Sequence, residues 1–493
     1  MPDLDAIEIV PEQNSARAAE TMAKIGLTNF HRETLMATLL PFKGIFYNPD
    51  KIRKPSVVVA PPYDVISPSE QQAAHQRHPN NVIRLILGQS SPQDDDHDNP
   101  HTRAAAYYRQ WLSERILVAD RKPALYWTAT EFDHEGGRMS RHGLIARVGL
   151  EPFEKGIILP HEETFSKVKS ERLELMQACH ANFSPIFALY SDRRRRIAQA
   201  VGQSIGADRP DIDFTDIDGQ RHKLWRIVDP QMHRHVQDIM QEKNLFIADG
   251  HHRYETALNY RQWLRQNRAT PGGGHPSDCV MMYLSSLQDT GLIIQPAHRL
   301  LKGLDADRLE GFIRRCDPYF EVAAIAAAGQ AAKALDALKR ALSDAGERKV
   351  FGAFVQNRSE YYVLTLKPDI MSQMFGTELP SAIRRLDVTV LTRLLFCEIL
   401  AFDESSLDND DLIGYSSDTQ AALDAVSAGH YQMAFILNPT RIEQVQQIAA
   451  RGLIMPRKST YFYPKVISGL VLNGLQTERP GLQPEVAETV DAA

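Results

Sequence analysis

Cysteine is scarce in this chain. Only Cys179, Cys279, Cys316 and Cys397 occur in 493 residues, and no two stand at the short spacing of a zinc or redox pair. Buried thiols in a reducing compartment are the expected state. A surplus of positive charge is also missing. The 56 Lys and Arg stand against 62 Asp and Glu, a net charge of −6, so nothing argues for a nucleic-acid partner. No apolar run approaches the ~20 residues that cross a bilayer, and the first residues carry no apolar signal segment. A cytoplasmic protein without membrane partners is expected.

Familiar catalytic motifs are absent too. There is no GxxxxGK[ST] loop and no GxGxxG, and neither HExxH nor GxSxG occurs. A P-loop, a dinucleotide Rossmann site, a zinc protease and a serine hydrolase are thereby set aside. If the chain handles a nucleotide, another architecture must do it.

The densest chemistry lies at Asp249-Gly250-His251-His252-Arg253. Leu245 to Ala248, just before it, is a short apolar run that reads as a buried strand. From Tyr254 the apolar spacing becomes helical, through Ala257, Leu258 and Leu264. A strand therefore runs through a tight polar turn into a helix. A helix start offers free N–H groups and a positive dipole end, which suit an anion. His251 and Arg253 add donors, and Gly250 lets a ligand approach the backbone. The plain alternative is that Asp249 caps the helix and Arg253 pairs with a surface acid.

Three further stretches carry chemistry. Pro160-His161-Glu162 with Lys167, Lys169 and Arg172 places bases near a carboxylate, suited to a phosphate and a general base. Its alternative is a solvated loop with i,i+4 pairs such as Lys167–Glu171. Lys458 to Lys465 interleaves hydroxyls, lysines and aromatics, and reads either as a ligand-holding segment or as an edge strand. Ala60-Pro61-Pro62-Tyr63-Asp64 is a rigid loop after a predicted strand, Val57 to Ala60. A second short apolar run, Val82 to Leu87, also reads as a strand.

The length predicts several domains. The pattern divides into a peripheral extension over 1–37, an α/β core with the polar turn over 38–300, an α+β unit over 301–475 and a disordered tail over 476–493. A helix is expected at Ser15 to Ile25, and a mobile Gly-rich loop at Thr270 to His275. The fold class is α/β with mixed sheets and an added α+β unit.

Phe42-Lys43-Gly44, Ala60-Pro61-Pro62-Tyr63-Asp64, Leu159-Pro160-His161-Glu162, the Asp249 turn and the Met455 to Lys465 segment together resemble a protein family of unknown function, DUF1015. The resemblance spans about Phe42 to Leu475 and brings no activity with it. More distantly, the strand–Asp-Gly-His-x-Arg–helix turn resembles the phosphate-binding turn of the ParB/sulfiredoxin-like superfamily, which includes free-serine kinases. That resemblance implies a nucleotide-binding core, ATP or another nucleotide with Mg²⁺, and a phosphate-site role for Asp249, Gly250, His251 and Arg253, with His252 beside them. Sulfiredoxin's catalytic cysteine has no counterpart beside this turn, and no basic DNA-binding helix-turn-helix is evident.

The resulting expectation is a nucleotide-dependent phosphotransferase acting on a small hydroxylated metabolite, such as free L-serine. Glu162 is the base, on chemistry alone. Asp249 holds the metal, His251 and Arg253 the phosphates, and Lys167, Lys169 and Lys458 neutralise charge. The rivals are a ParB-like nucleotide switch and a non-enzymatic protein with an incidental anion site.

Overall fold

The computed structural model describes residues 37–476, apart from 165, 268–273, 408 and 410 and the side chains at 166, 167 and 404. The expected helix at Ser15 to Ile25, most of the Gly-rich loop and nearly all of the tail lie outside the described residues.

The fold is mixed α/β. The first sheet has nine strands: β1 (Leu39–Leu40), β2 (Leu125–His134), β3 (Gly137–Gly149), β4 (Ile158–Leu159), β5 (Ile186–Tyr190), β6 (Ile212–Thr215), β7 (Arg221–Ile227), β8 (Leu245–Asp249) and β9 (Cys279–Ser286). Their order is β4-β8-β5-β9-β3-β2-β7-β6, with β1 beside β3. β8 runs parallel to β4 and antiparallel to β5, while β9 is parallel to β5.

β8 is apolar because both of its faces are covered. Leu245 and Ile247 enter a core shared with Tyr254, Ala257 and Val236. Phe246 and Ala248 enter another, with Phe187, Ile448 and Phe462. A strand buried on both sides reads as a continuous apolar run rather than an alternating one. The helices that matter below are α1 (Pro100–Ser113), α2 (Ser166–Cys179), α3 (Pro230–Gln241) and α4 (His251–Asn267).

The second sheet is antiparallel and six-stranded: β10 (His298–Leu301), β11 (Phe320–Ala326), β12 (Val350–Val355), β13 (Glu360–Leu366), β14 (Ile413–Ser416) and β15 (Met433–Leu437), in the order β11-β13-β12-β15-β10-β14. After β15 the chain returns to the first sheet's neighbourhood. Tyr461–Tyr463 pairs with Ile293–Gln295, and Asn473–Gly474 with Ala181–Asn182.

Two predicted strands are corrected. Val57 to Ala60 is a 3₁₀ turn over Pro55–Val57, and Ala60 makes a single bridge to Ser468. Pro61 and Pro62 have no N–H to continue a ladder. Val82 to Leu87 is helical over Ile83–Ile86, all buried except Arg84. Asn81 starts it by accepting the N–H of Ile83 at 2.9 Å. A short buried apolar run has no periodicity that separates strand from helix.

Candidate functional site

Parallel neighbours end on the same edge of a sheet, so the loops that follow them meet there. β4 and β8 are such neighbours, in register as Ile158 with Leu245 and Leu159 with Phe246. The loop after β4 carries His161 and Glu162, and the turn after β8 carries Asp249 to Arg253. β5 is antiparallel to β8, so it begins at this edge and places Pro185 there. The topology thus brings together segments almost ninety residues apart.

Gly250 makes the turn possible. Its φ is +95°, and a Cβ added there would lie 2.8 Å from Arg253 Nε. An L side chain is strained at that φ. The turn leads straight into the 17-residue helix α4. The N–H of Tyr254 is bound to the carbonyl of Gly250 at 3.0 Å, so the N–H groups before it precede the helical ladder and face the turn.

Asp249 is held by two cations. Oδ2 accepts from Arg253 Nη2, and Oδ1 accepts from Lys465 Nζ at 2.7 Å. The three side chains are 11–13% exposed. Burial opposes the carboxylate charge, but Lys465 and Arg253 outweigh it and hold Asp249 well below the usual carboxylate range. Burial likewise opposes the charge on Lys465, and the carboxylates of Asp249 and Asp64 overcome it, raising its pKa. Arg253 gives its other Nη to the carbonyl of Pro185. Its fork is therefore turned into the protein, so a bidentate grip on phosphate would require it to leave Asp249.

Mg²⁺ does not fit Asp249 in this arrangement, because each carboxylate oxygen already accepts from a cation. No group of three or more His, Cys, Asp or Glu that could hold a metal occurs among the described residues.

The two histidines interlock. The backbone N–H of His161 donates to His251 Nε2 at 3.2 Å, and the rings meet edge to face at 4.7 Å. Burial, then neighbouring His161, pushes His251 well below its ordinary pKa. A neutral ring that accepts at Nε2 carries its proton on Nδ1. That Nδ1 lies 3.7 Å from Glu162 Oε2. His161 is also neutral, lowered by burial to about 4, and its Nε2 meets Thr460 Oγ1 at 3.2 Å.

Glu162 is about one-third exposed. Burial raises its pKa, opposed by the charge and the backbone N–H of Lys458 and by Lys465, and reinforced by Asp249. Glu162 is thus a carboxylate of raised pKa that is reachable from solvent and close to a neutral imidazole, features that suit proton transfer.

The remaining candidates divide. Lys458 stands near Glu162 in the left-handed region, φ +54°. His252 is half-buried and feels Asp64 and Glu255. Lys169 is turned away: its Nζ donates to Glu255 Oε2 at 2.6 Å, and Thr164 holds the other oxygen at 2.7 Å. That pair ties the Glu162 loop to α4 instead of facing Glu162. The side chain of Lys167 lies outside the described residues.

Three residues carried no individual role from the sequence, although Lys465 belongs to the Lys458 to Lys465 stretch that reads as ligand-holding or as an edge strand. Lys465 was visible only as a lysine among aromatics. Arg141 and Arg299 look like surface residues in a sequence, yet they are 1% and 3% exposed. Arg141 donates to the carbonyl of Pro464 at 2.5 Å, beside Lys465. Arg299 donates to the carbonyls of Arg457 and Lys458 at 3.2 and 3.0 Å.

The model of a protein family of unknown function, DUF1015, matches residues 39–389. The chain belongs to the DUF1015 family. No curated protein matches this family member. Among solved structures it is similar to a conserved hypothetical protein from Pyrococcus furiosus at 13% identity and a TM-score of 0.30, over 66% of this chain and 92% of the other. It is similar to a mutant free serine kinase in complex with ADP at 13% identity and a TM-score of 0.31, over 65% and 87%. It is also similar to C-terminally truncated SbnI from Staphylococcus aureus at 8% identity and a TM-score of 0.30, over 66% and 85%.

Proposed function

We propose that this DUF1015 member is a nucleotide-dependent phosphotransferase acting on a small hydroxylated metabolite, with free L-serine the first acceptor to test. One observation carries the reading: Glu162 Oε2 stands 3.7 Å from Nδ1 of the buried His251 at the start of a 17-residue helix. A base and an anion-binding helix end in one place suit phosphoryl transfer, which needs positioning and charge stabilisation more than covalent help.

In this reading the N–H groups at the start of α4 meet the phosphates. The acceptor hydroxyl gives its proton to Glu162, and its oxygen bonds to the terminal phosphorus. The bond from that phosphorus to the bridging oxygen breaks, and the nucleoside diphosphate leaves. Lys458 and Lys465 neutralise charge, whereas Lys169 is paired with Glu255. Arg253 acts as a latch on Asp249 that shapes the turn. No step is routed through a metal on Asp249.

The test is a thermal-shift screen with ATP, ADP, CTP and GTP, followed by a product assay with hydroxylated acceptors. A nucleotide at ~100 times its dissociation constant stabilises by about 2.7 kcal/mol. Stabilisation by one nucleotide together with a phosphorylated product is expected. Binding without any product would favour the nucleotide switch instead, and no shift with any nucleotide would remove the reading.

A further inference from the structure

A cavity lies behind the turn, between α2, α4 and the start of β5, with a volume of about 60 Å³. Its wall is mainly apolar, with Ile86, Leu175 and Phe183 contributing, but Arg172, Arg253 and Thr256 also line it. These three share a property. Arg172 Nε, Arg253 Nε and Thr256 Oγ1 are all buried without a hydrogen-bond partner among the described residues. Thr256 is only 1% exposed. Buried polar atoms are nearly always satisfied, and here three of them line one small space.

Both Nη groups of Arg253 and Nη1 of Arg172 are committed elsewhere. Arg172 Nη1 donates to the carbonyl of Ile86 at 2.6 Å, and its guanidinium lies 4.2 Å from the centre of the Tyr63 ring. Arg253 spends its Nη groups on Asp249 and Pro185. Asp249 is moreover shared between Arg253 and Lys465, so it cannot neutralise both. Asp64 and Glu171 also act on Arg172, so the case for a ligand rests on the three unpartnered polar atoms that line one space.

We propose that this cavity binds a small aliphatic carboxylate of two or three carbons. At ~10–15 Å³ for each water-sized group, the space holds about four to six non-hydrogen atoms. The carboxylate would accept from the two Nε–H groups and from the threonine hydroxyl, and the methylene or methyl would lie on the apolar wall. A mostly apolar pocket with a few convergent polar groups is the usual form of a small-ligand site. Phosphate fits less well: it has no apolar portion for that wall, and its greater charge and number of acceptors exceed what three donors satisfy. The proposal rests on the cavity alone and needs no nucleotide.

Titration of the full chain with sodium propionate and sodium acetate, followed by calorimetry and melting temperature, tests it. Chloride and phosphate at equal ionic strength are the controls. Saturable binding of propionate is expected, at least tenfold weaker in Thr256→Val and retained in Thr256→Ser, which keeps the hydroxyl. Arg172→Gln provides a second, independent weakening should Thr256→Val fail to fold. The proposal is overturned by absence of saturable carboxylate binding, by phosphate binding as tightly as propionate, or by unchanged affinity in both Thr256→Val and Arg172→Gln.

Discussion

The two sheets treat buried charge differently. At the edge of the first, Arg253 and Lys465 share the carboxylate of Asp249, with neutral His251 beside it and Glu162 within reach of solvent. On the second, Arg299 is more deeply buried and makes no ion pair with a carboxylate among the described residues. Its donors go to the carbonyls of Ala297, Arg457 and Lys458, and its guanidinium lies 4.7 Å from the Tyr415 ring centre. Burial pushes its pKa down to about 10. The first arrangement gathers ionisable groups that can exchange partners. The second ties down backbone. Arg299 holds the carbonyl of Lys458, a residue in the left-handed region whose N–H faces Glu162. Strained backbone persists where its surroundings over-determine it. The second sheet therefore supports the site by fixing a loop, and the first provides its ionisable groups.

The largest expected effect separates these two roles. Asp249→Ala strands two buried cations and should destabilise by about 3–5 kcal/mol in urea unfolding. Arg299→Met leaves backbone carbonyls without a donor, with a cost of about 1–3 kcal/mol. If Arg299→Met costs as much as Asp249→Ala, the distinction between the two kinds of buried charge fails.

Gly250→Ala comes next. A left-handed φ costs a non-glycine residue about 1–2 kcal/mol, and the added Cβ also displaces the Arg253 guanidinium. The same substitution at Gly219, φ +81° in an open turn with nothing within 4 Å of the added Cβ, carries the strain alone. Equal losses at the two positions would show that Arg253 is not held against the turn.

Near neutral pH, the smallest effect is one the regions share, and it grows only on acidification. His161 by the first sheet and His298 in the second are both buried and lowered to about 4 from 6.5. Between those values the unfolded chain binds a proton that the folded chain refuses. The stability each histidine contributes is complete above about 6.5 and is lost as pH falls towards about 4. Each adds a slope of at most about 1.4 kcal/mol per pH unit in that window. His161→Gln and His298→Gln should each flatten the acid limb of a melting-temperature profile by a similar amount. An unchanged limb in both would show that these rings are not kept neutral.

Much of the first sheet was legible. Leu245 to Ala248 is apolar because both of its faces are covered, and the polar turn stands out as five residues without an apolar one. The motif after β4 was legible as chemistry, and a site shared with the turn was expected because both are polar segments directly after apolar runs, but how the two meet was not legible. That depends on the parallel pairing of β4 with β8, and β4 is only two residues long. Lys465 was hidden for a similar reason, since it lies 216 residues from the Asp249 it binds. Arg141 and Arg299 were hidden because a buried arginine that binds carbonyls has no sequence pattern of its own. Lys169 misled because its Glu255 partner sits on α4, a separate element.

Titrating wild type and Glu162→Gln with the nucleotide that stabilises most, alongside a product assay, tests the central claim most directly. Glutamine keeps the shape and a hydrogen-bonding group but cannot take the proton. Nucleotide affinity should be nearly unchanged, while turnover falls by about 10²–10⁴. Full turnover in Glu162→Gln would contradict the account, because the carboxylate beside His251 would then not be the base.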